Sequence, residues 1–205
     1  VALARALAPR PKVLLLDEPF ANLDGPIRME VGHAVRSILR QAGAAGILVT
    51  HDHKEALALA DRVAVLGPRP TKSAEQPAEL LQIDTPVRLY ERPSSRVVAE
   101  LTGFVLSLHG DAEGRAVETV FGSIRLLEEY QGPVEVLVRQ HQLAFVEDDD
   151  GSVSVVDARY VGPGYQICLE TKAGECWVDH ATNLPLTTRG RVQLRGPCMA
   201  VAKRI

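Results

Sequence analysis

The stretch Val13 to Asp24, VLLLDEPFANLD, constrains this chain more than any other. Val13, Leu14, Leu15 and Leu16 make the continuous apolar run of a strand buried on both faces, as in a parallel sheet covered by helices. Two acids follow at once. In open α/β sheets ligands bind in the crevice beyond the carboxyl ends of the strands, which places Asp17 and Glu18 where a phosphate chain and its metal could be held. Asp17, at the strand tip, suits a Mg²⁺ ion held directly or through water. Glu18 would face a water molecule and orient or deprotonate it. Taken alone, an acid pair after an apolar strand also reads as a solvated loop.

The surrounding residues place this strand in a layer. Val1 to Ala8 reads as helical, and Pro9 to Pro11 breaks it. Pro26 suits the first turn of the next helix. Ile27, Val31, Ala34, Val35, Ile38 and Leu39 recur at helical spacing, so one face of that helix is expected on the sheet. Gly43 and Gly46 end it and admit a second apolar strand, Ile47 to Val49, that runs into Thr50, His51 and Asp52. A helix over about His53 to Ala60 and a strand over Arg62 to Leu66 follow. The alternation predicts an α/β layer with right-handed crossovers.

DEPF, then ANLD, then THD resembles the Walker B, D-loop and H-loop of an ABC transporter ATPase subunit, and VALARALAPRPK resembles the helix after that family's LSGGQ signature. The resemblance implies ATP as substrate with Mg²⁺. It makes Asp17 the Walker B aspartate, holding the metal through water, and Glu18 the catalytic glutamate. It makes Asp24 the D-loop aspartate at the seam of a homodimer and His51 the switch histidine on the γ-phosphate. His53, two residues on, reads as a surface residue. No G-x-x-x-x-G-K-[ST] occurs in the 205 residues, and the amides and lysine of that loop are what cradle the β- and γ-phosphates. The resemblance therefore implies a protein truncated at the amino terminus, with Walker A, Q-loop and signature upstream, and a chain inactive by itself.

Length and composition fit two modules. At 205 residues the chain exceeds the usual domain size, and 46% hydrophobic residues suffice for proper cores. No apolar run approaches the roughly 18 residues of a spanning helix. The three cysteines, Cys168, Cys176 and Cys198, fit reduced thiols better than a disulfide framework.

Between Leu66 and Glu79 the pattern lapses into Gly67, Pro68, Pro70, Pro77 and polar residues, which predicts a mobile insertion from Gly67 to Ala78 before a short strand, Leu80 to Ile83. Thr85 and Pro86 then form a helix start, the threonine as cap. The stretch IDTPVRLYERPSSRVVAELTG, Ile83 to Gly103, resembles the end of importer-type ATPase domains. Residues 1–103 are thus identified as the carboxy-terminal part of the nucleotide-binding domain.

From Phe104 the texture changes to short alternating segments: Val105 to Leu108, Ala116 to Val120, Val134 to Arg139, Leu143 to Glu147, Val153 to Val161, Tyr165 to Thr171, Glu175 to His180, Val192 to Arg195 and Met199 to Lys203. Many short strands argue for a small barrel or sandwich. VGPGYQICLE and a KAG turn into ECWVDH read as hairpins. The region 104–205 resembles the TOBE type of OB-like β-barrel that follows importer ATPase domains, so the whole chain is expected to be α/β followed by all-β.

An OB-like barrel raises the question of nucleic acid, and charge answers it. From Phe104 onward 10 Lys and Arg face 14 Asp and Glu, a net of −4, whereas a nucleic-acid footprint is basic and interleaved with aromatics. No nucleic-acid partner is expected. Cys168, Cys176 and His180 lack the C-x₂-C spacing of a metal site, and buried cysteines acting as small hydrophobes account for them. The acidic run Glu147 to Asp150 reads as a solvated turn.

Two functions of different class follow. In the first the chain is part of an importer's ATPase subunit, peripheral on the cytoplasmic face of the plasma membrane. Two such subunits close around ATP and push on membrane-spanning permease subunits, with an external solute-binding protein acting indirectly. The resemblance leans toward iron or another inorganic ion. In the second the chain is a non-catalytic dimerising or small-ligand-sensing β-barrel module carrying a remnant ATPase segment.

Overall fold

A computed structural model describes residues 2–68, 78–172 and 174–202. Most of the expected insertion lies outside the described residues, as do Ala173 of the KAG turn and Lys203 of the last expected strand. By its packing the chain divides into two compact units, Val1–Glu91 and Arg92–Ile205.

The first unit runs α1 (Ala2–Leu7), β1 (Val13–Asp17), α2 (Gly25–Gln41), β2 (Ala45–Val49), α3 (His53–Leu59), β3 (Val63–Gly67), β4 (Glu79–Asp84) and α4 (Pro86–Glu91). β1 and β2 pair in parallel with Val13 opposite Ala45 and Asp17 opposite Val49. The β1–α2–β2 crossover is thus the βα unit that the apolar runs predict. α2 packs through Val35 and Leu39 onto a small core with Leu14, Phe20 and Leu59.

The structure departs from three expectations. β1 is not buried on both faces: Leu14 is 7% exposed, but Leu15 is 72% and Val13 50% exposed. The face of β1–β2 toward α2 is covered, while Leu15, Ile47 and Val49 on the other strand positions are open. α2 likewise buries a narrower stripe than its periodicity predicts. Gly32, Val35 and Leu39 are buried, whereas Ile27, Val31 and Ile38 are exposed. In addition β3 does not extend the parallel sheet. It pairs antiparallel with β4 in a separate two-stranded ladder. α4 begins as its sequence predicts, with the Thr85 hydroxyl accepting from the Arg88 N–H at 3.4 Å.

The second unit opens with α5 (Arg96–Leu101), capped by Ser95, whose hydroxyl accepts from the Val98 N–H. Then come β5 (Val105–Thr119), β6 (Gly122–Arg139), a single 3₁₀ turn, β7 (Leu143–Glu147), β8 (Val153–Tyr160), β9 (Tyr165–Thr171), β10 (Gly174–His180), β11 (Arg189–Leu194) and β12 (Met199–Ala202). β5 and β6 are not short. They form one hairpin of 15 and 18 residues, joining two expected strands and adding the unforeseen stretch from Gly122 to Pro133. Gly114, at φ +65°, occupies the left-handed region where the ladder shifts register before Ala116, the use of glycine that a bulge requires. β8, β9 and β10 form the two expected hairpins.

The strands lie in a three-stranded sheet, ordered β12–β6–β5, and a five-stranded sheet, ordered β10–β9–β8–β11–β7. One core joins both, with Leu108, Val136 and Val138 from the first meeting Val155, Ile167, Leu169 and Val178 from the second. Among the described residues the ladders do not close into a single barrel. Arg139, 5% exposed, ties α5 to this unit by donating to the carbonyls of Ala99, Gly103 and Phe104 and to the Thr102 hydroxyl.

Candidate functional site

Parallel pairing of β1 and β2 brings their carboxyl ends together, so the residues leaving each strand meet. The Glu18 N–H donates to the Val49 carbonyl at 2.9 Å, which extends the pairing one residue beyond Asp17. At φ +43° Glu18 occupies the left-handed region, a conformation that costs a residue with a Cβ of order 1 kcal/mol and that concentrates at functional sites. The Ala21 N–H donates back to the Glu18 carbonyl and the Leu23 N–H to the Phe20 carbonyl. Phe20, 3% exposed, anchors the turn in the core.

This strained turn points the Glu18 carboxylate at the end of β2. Its Oε1 accepts the His51 N–H at 3.0 Å and lies 2.7 Å from His51 Nδ1. The hydrogen bond to Glu18, followed by the charge of that carboxylate, raises the His51 imidazole above its ordinary 6.5. The His51 side chain is 83% exposed, so no packing holds it. Asp17 is exposed at the strand tip beside this pair. Its oxygens are the hard donors that Mg²⁺ takes, and solvent can complete the shell.

Asp24 stands at the other end of the turn, as the residue before α2. Its carbonyl accepts the Arg28 N–H at 2.8 Å, and its side chain makes no cap. Of the residues predicted for the site, Glu18 and His51 are in contact. Asp17 adjoins them in sequence. Asp24 is six residues beyond Glu18, with its exposed carboxylate turned to no partner within the helix start. His53, as expected, begins a helix and has no part in the pair.

A second group of residues went unread in the sequence. Asp52 caps α3, its Oδ1 accepting from the Lys54 and Glu55 N–H groups at 2.8 and 3.3 Å. Burial alone would raise its carboxyl, but those N–H groups and Arg28 prevail and hold it below the usual 3.8. Glu55, 3% exposed, accepts the Thr50 hydroxyl at 2.8 Å. Arg28 lies 3.0 Å from Asp52 and 3.4 Å from Glu55. The signal for this group was the D-x-x-E spacing of Asp52 and Glu55, an acid cap followed by an acid on the helix's first turn.

In the second unit Cys168 is paired with Trp177 and Cys176 with Leu169 across β9 and β10. Directly paired residues share a face, so the two thiols lie on opposite faces of the hairpin. Among the described residues no three His, Cys, Asp or Glu side chains are grouped to hold a metal.

No protein-family profile matches the chain. It is 45% identical over 122 residues to a spermidine/putrescine import ATP-binding protein of Pseudomonas fluorescens, covering 59% of this chain and 31% of that protein. It is 36% identical over 177 residues to an Fe(3+) ions import ATP-binding protein of Rhodococcus jostii, covering 85% and 49%. A sulfate/thiosulfate import ATP-binding protein of Xanthomonas campestris is 40% identical over 158 residues, covering 74% and 41%. The chain thus spans from 31% to 49% of the length of these relatives.

Proposed function

We propose that this chain, a homologue of the ATP-binding subunits of ABC importers, carries the water-activating half of an ATP-hydrolysing site. The observation that carries the reading is the Glu18–His51 contact at the joined ends of two parallel strands. Asp17 would hold Mg²⁺ through water, and the ion would neutralise charge on the phosphate oxygens. Glu18 orients a water molecule and takes its proton. His51 donates a ring N–H to the transferring phosphoryl group, and while it stays against Glu18 that carboxylate favours its protonated form. Asp24, exposed at the start of α2, faces the seam between two copies.

In this reading residues 1–103 belong to the nucleotide-binding domain and 104–205 form the OB-like TOBE region. A homodimer would act on membrane-spanning permease subunits at the cytoplasmic face of the plasma membrane, with an external solute-binding protein acting indirectly and no nucleic acid involved. No described helix is long and apolar enough to cross a membrane. The relatives' solutes differ among polyamine, ferric ion and sulfate, and the overall resemblance leans toward iron or another inorganic ion.

A second reading is a non-catalytic dimerising or ligand-sensing module carrying a remnant ATPase segment. One experiment separates them. A chimera supplying a G-x-x-x-x-G-K-[ST] segment ahead of Val1 should hydrolyse MgATP, and Glu18→Gln should slow it by at least about 10²-fold while leaving nucleotide binding intact. A chimera that binds MgATP yet never hydrolyses it defeats the first reading.

A further inference from the structure

His51 is exposed, and its position is fixed through its backbone and through Glu18 rather than by packing. The turn that carries it is also held by a side chain of α2. Arg28, on the second turn of α2, donates from Nη2 and Nε to the Leu23 carbonyl at 2.9 and 3.3 Å. From Nη1 it donates to Asp52 Oδ2 at 3.0 Å, and its Nε lies 3.4 Å from Glu55 Oε1. Each acid uses its other oxygen locally. Asp52 Oδ1 caps α3, and Glu55 Oε2 accepts from Thr50, whose hydroxyl in turn accepts the Asp52 N–H at 3.0 Å. Thr50 and Asp52, the two neighbours of His51, are therefore both tied to Arg28 through carboxylates. Leu23, at the end of the turn that begins at Glu18, is tied to it directly.

We propose that Arg28 is a positioning residue that locks the turn leaving Glu18 to the turn carrying His51, and so holds the two side chains in register. The guanidinium suits this task because its planar donors engage several acceptors at once, which a lysine ammonium on a flexible stem does not. Glu55 is 4% exposed at its side chain and Arg28 26%, so losing the guanidinium would leave a buried carboxylate short of its counter-charge. The consequence for hydrolysis rests on the function proposed above, while the lock between the two turns does not.

Amide hydrogen exchange of the 205-residue chain by NMR tests the lock. In Arg28→Ala the His51 and Asp52 amides should exchange roughly tenfold faster, and the His51 ring signals should shift, while amides of the β1–β2 ladder change by less than about twofold. Arg28→Lys should restore part of the protection. Arg40→Ala, which removes an exposed ion pair of the same helix with Asp61, should change neither amide. Should Arg28→Ala fail to fold, Asp52→Asn keeps the capping oxygen, removes the charge facing Arg28 and should loosen the same amides. Unchanged His51 and Asp52 amides, or equal loosening throughout the unit, overturns the proposal. In the hydrolysing chimera Arg28→Ala should lower kcat about tenfold with KM for MgATP little changed; loosened amides with an unchanged kcat would overturn the role in hydrolysis. A parent chimera without hydrolysis defeats the functional reading and leaves the exchange measurement to decide the lock.

Discussion

At the scale of single residues, the site is built on Glu18 holding a left-handed backbone against the end of β2. The contact is an ion pair only when His51 is protonated, so its pH dependence has a defined sign. The folded value of His51 lies above the ordinary 6.5. The pair's contribution to stability is complete below 6.5 and is lost as pH rises through the elevated folded value. An NMR titration should place the His51 midpoint above 6.5 in the native chain, and Glu18→Gln should bring it down, because the carboxylate charge is removed while a hydrogen-bond acceptor remains. A midpoint that ignores Glu18→Gln would show that the pair does not form in solution. Both side chains were singled out by their places after apolar strands. Their distance was not, since nothing in a linear spacing of 33 residues states which strand ends adjoin.

Among elements, α2 shows how a sequence pattern overstates burial. Its apolar spacing is correct for a helix, yet the stripe that makes contact is Gly32, Val35 and Leu39. Gly32 is there because α3 crosses closely: a Cβ at this position would lie 2.5 Å from Leu59 Cδ1, in a buried side chain. Gly32→Val should destabilise the first unit by about 1–3 kcal/mol through overpacking, read as a lower denaturation midpoint with an unchanged slope. Stability equal to or above that of the parent would mean that α2 and α3 do not meet there. The β5–β6 hairpin errs in the other direction. Gly110, Gly114 and the charges between them read as breaks in the sequence, whereas in the structure a continuous ladder runs through them and only the register shifts. Backbone pairing with a long partner outweighs local propensity, which is why strand limits are less legible than strand existence.

For the molecule as a whole, the buried thiols give a direct test of the second unit's core. All three cysteines are free and buried, and burial pushes Cys176 and Cys198 up to about 11; burial, with Glu175 after it, also raises Cys168. A thiol reagent at neutral pH should label none of them rapidly in the native chain and all three in denaturant, because the thiolate is the reactive form. A fast-labelling native thiol would contradict the packing of the second unit. The sequence by itself determined the order of local elements in the first unit, the hairpins of β8 to β10, the change to all-β texture and the choice of Asp17, Glu18, Asp24 and His51 as candidates, since these follow from short-range periodicity, turn chemistry and motif. Only the tertiary structure decided that β3 leaves the parallel pair, that the second unit is two sheets around one core, and that Arg28, Asp52 and Glu55 bind the two turns of the site together. Those outcomes depend on which distant segments share a face or a hydrogen bond, and that is settled by packing between elements rather than by the residues within any one of them.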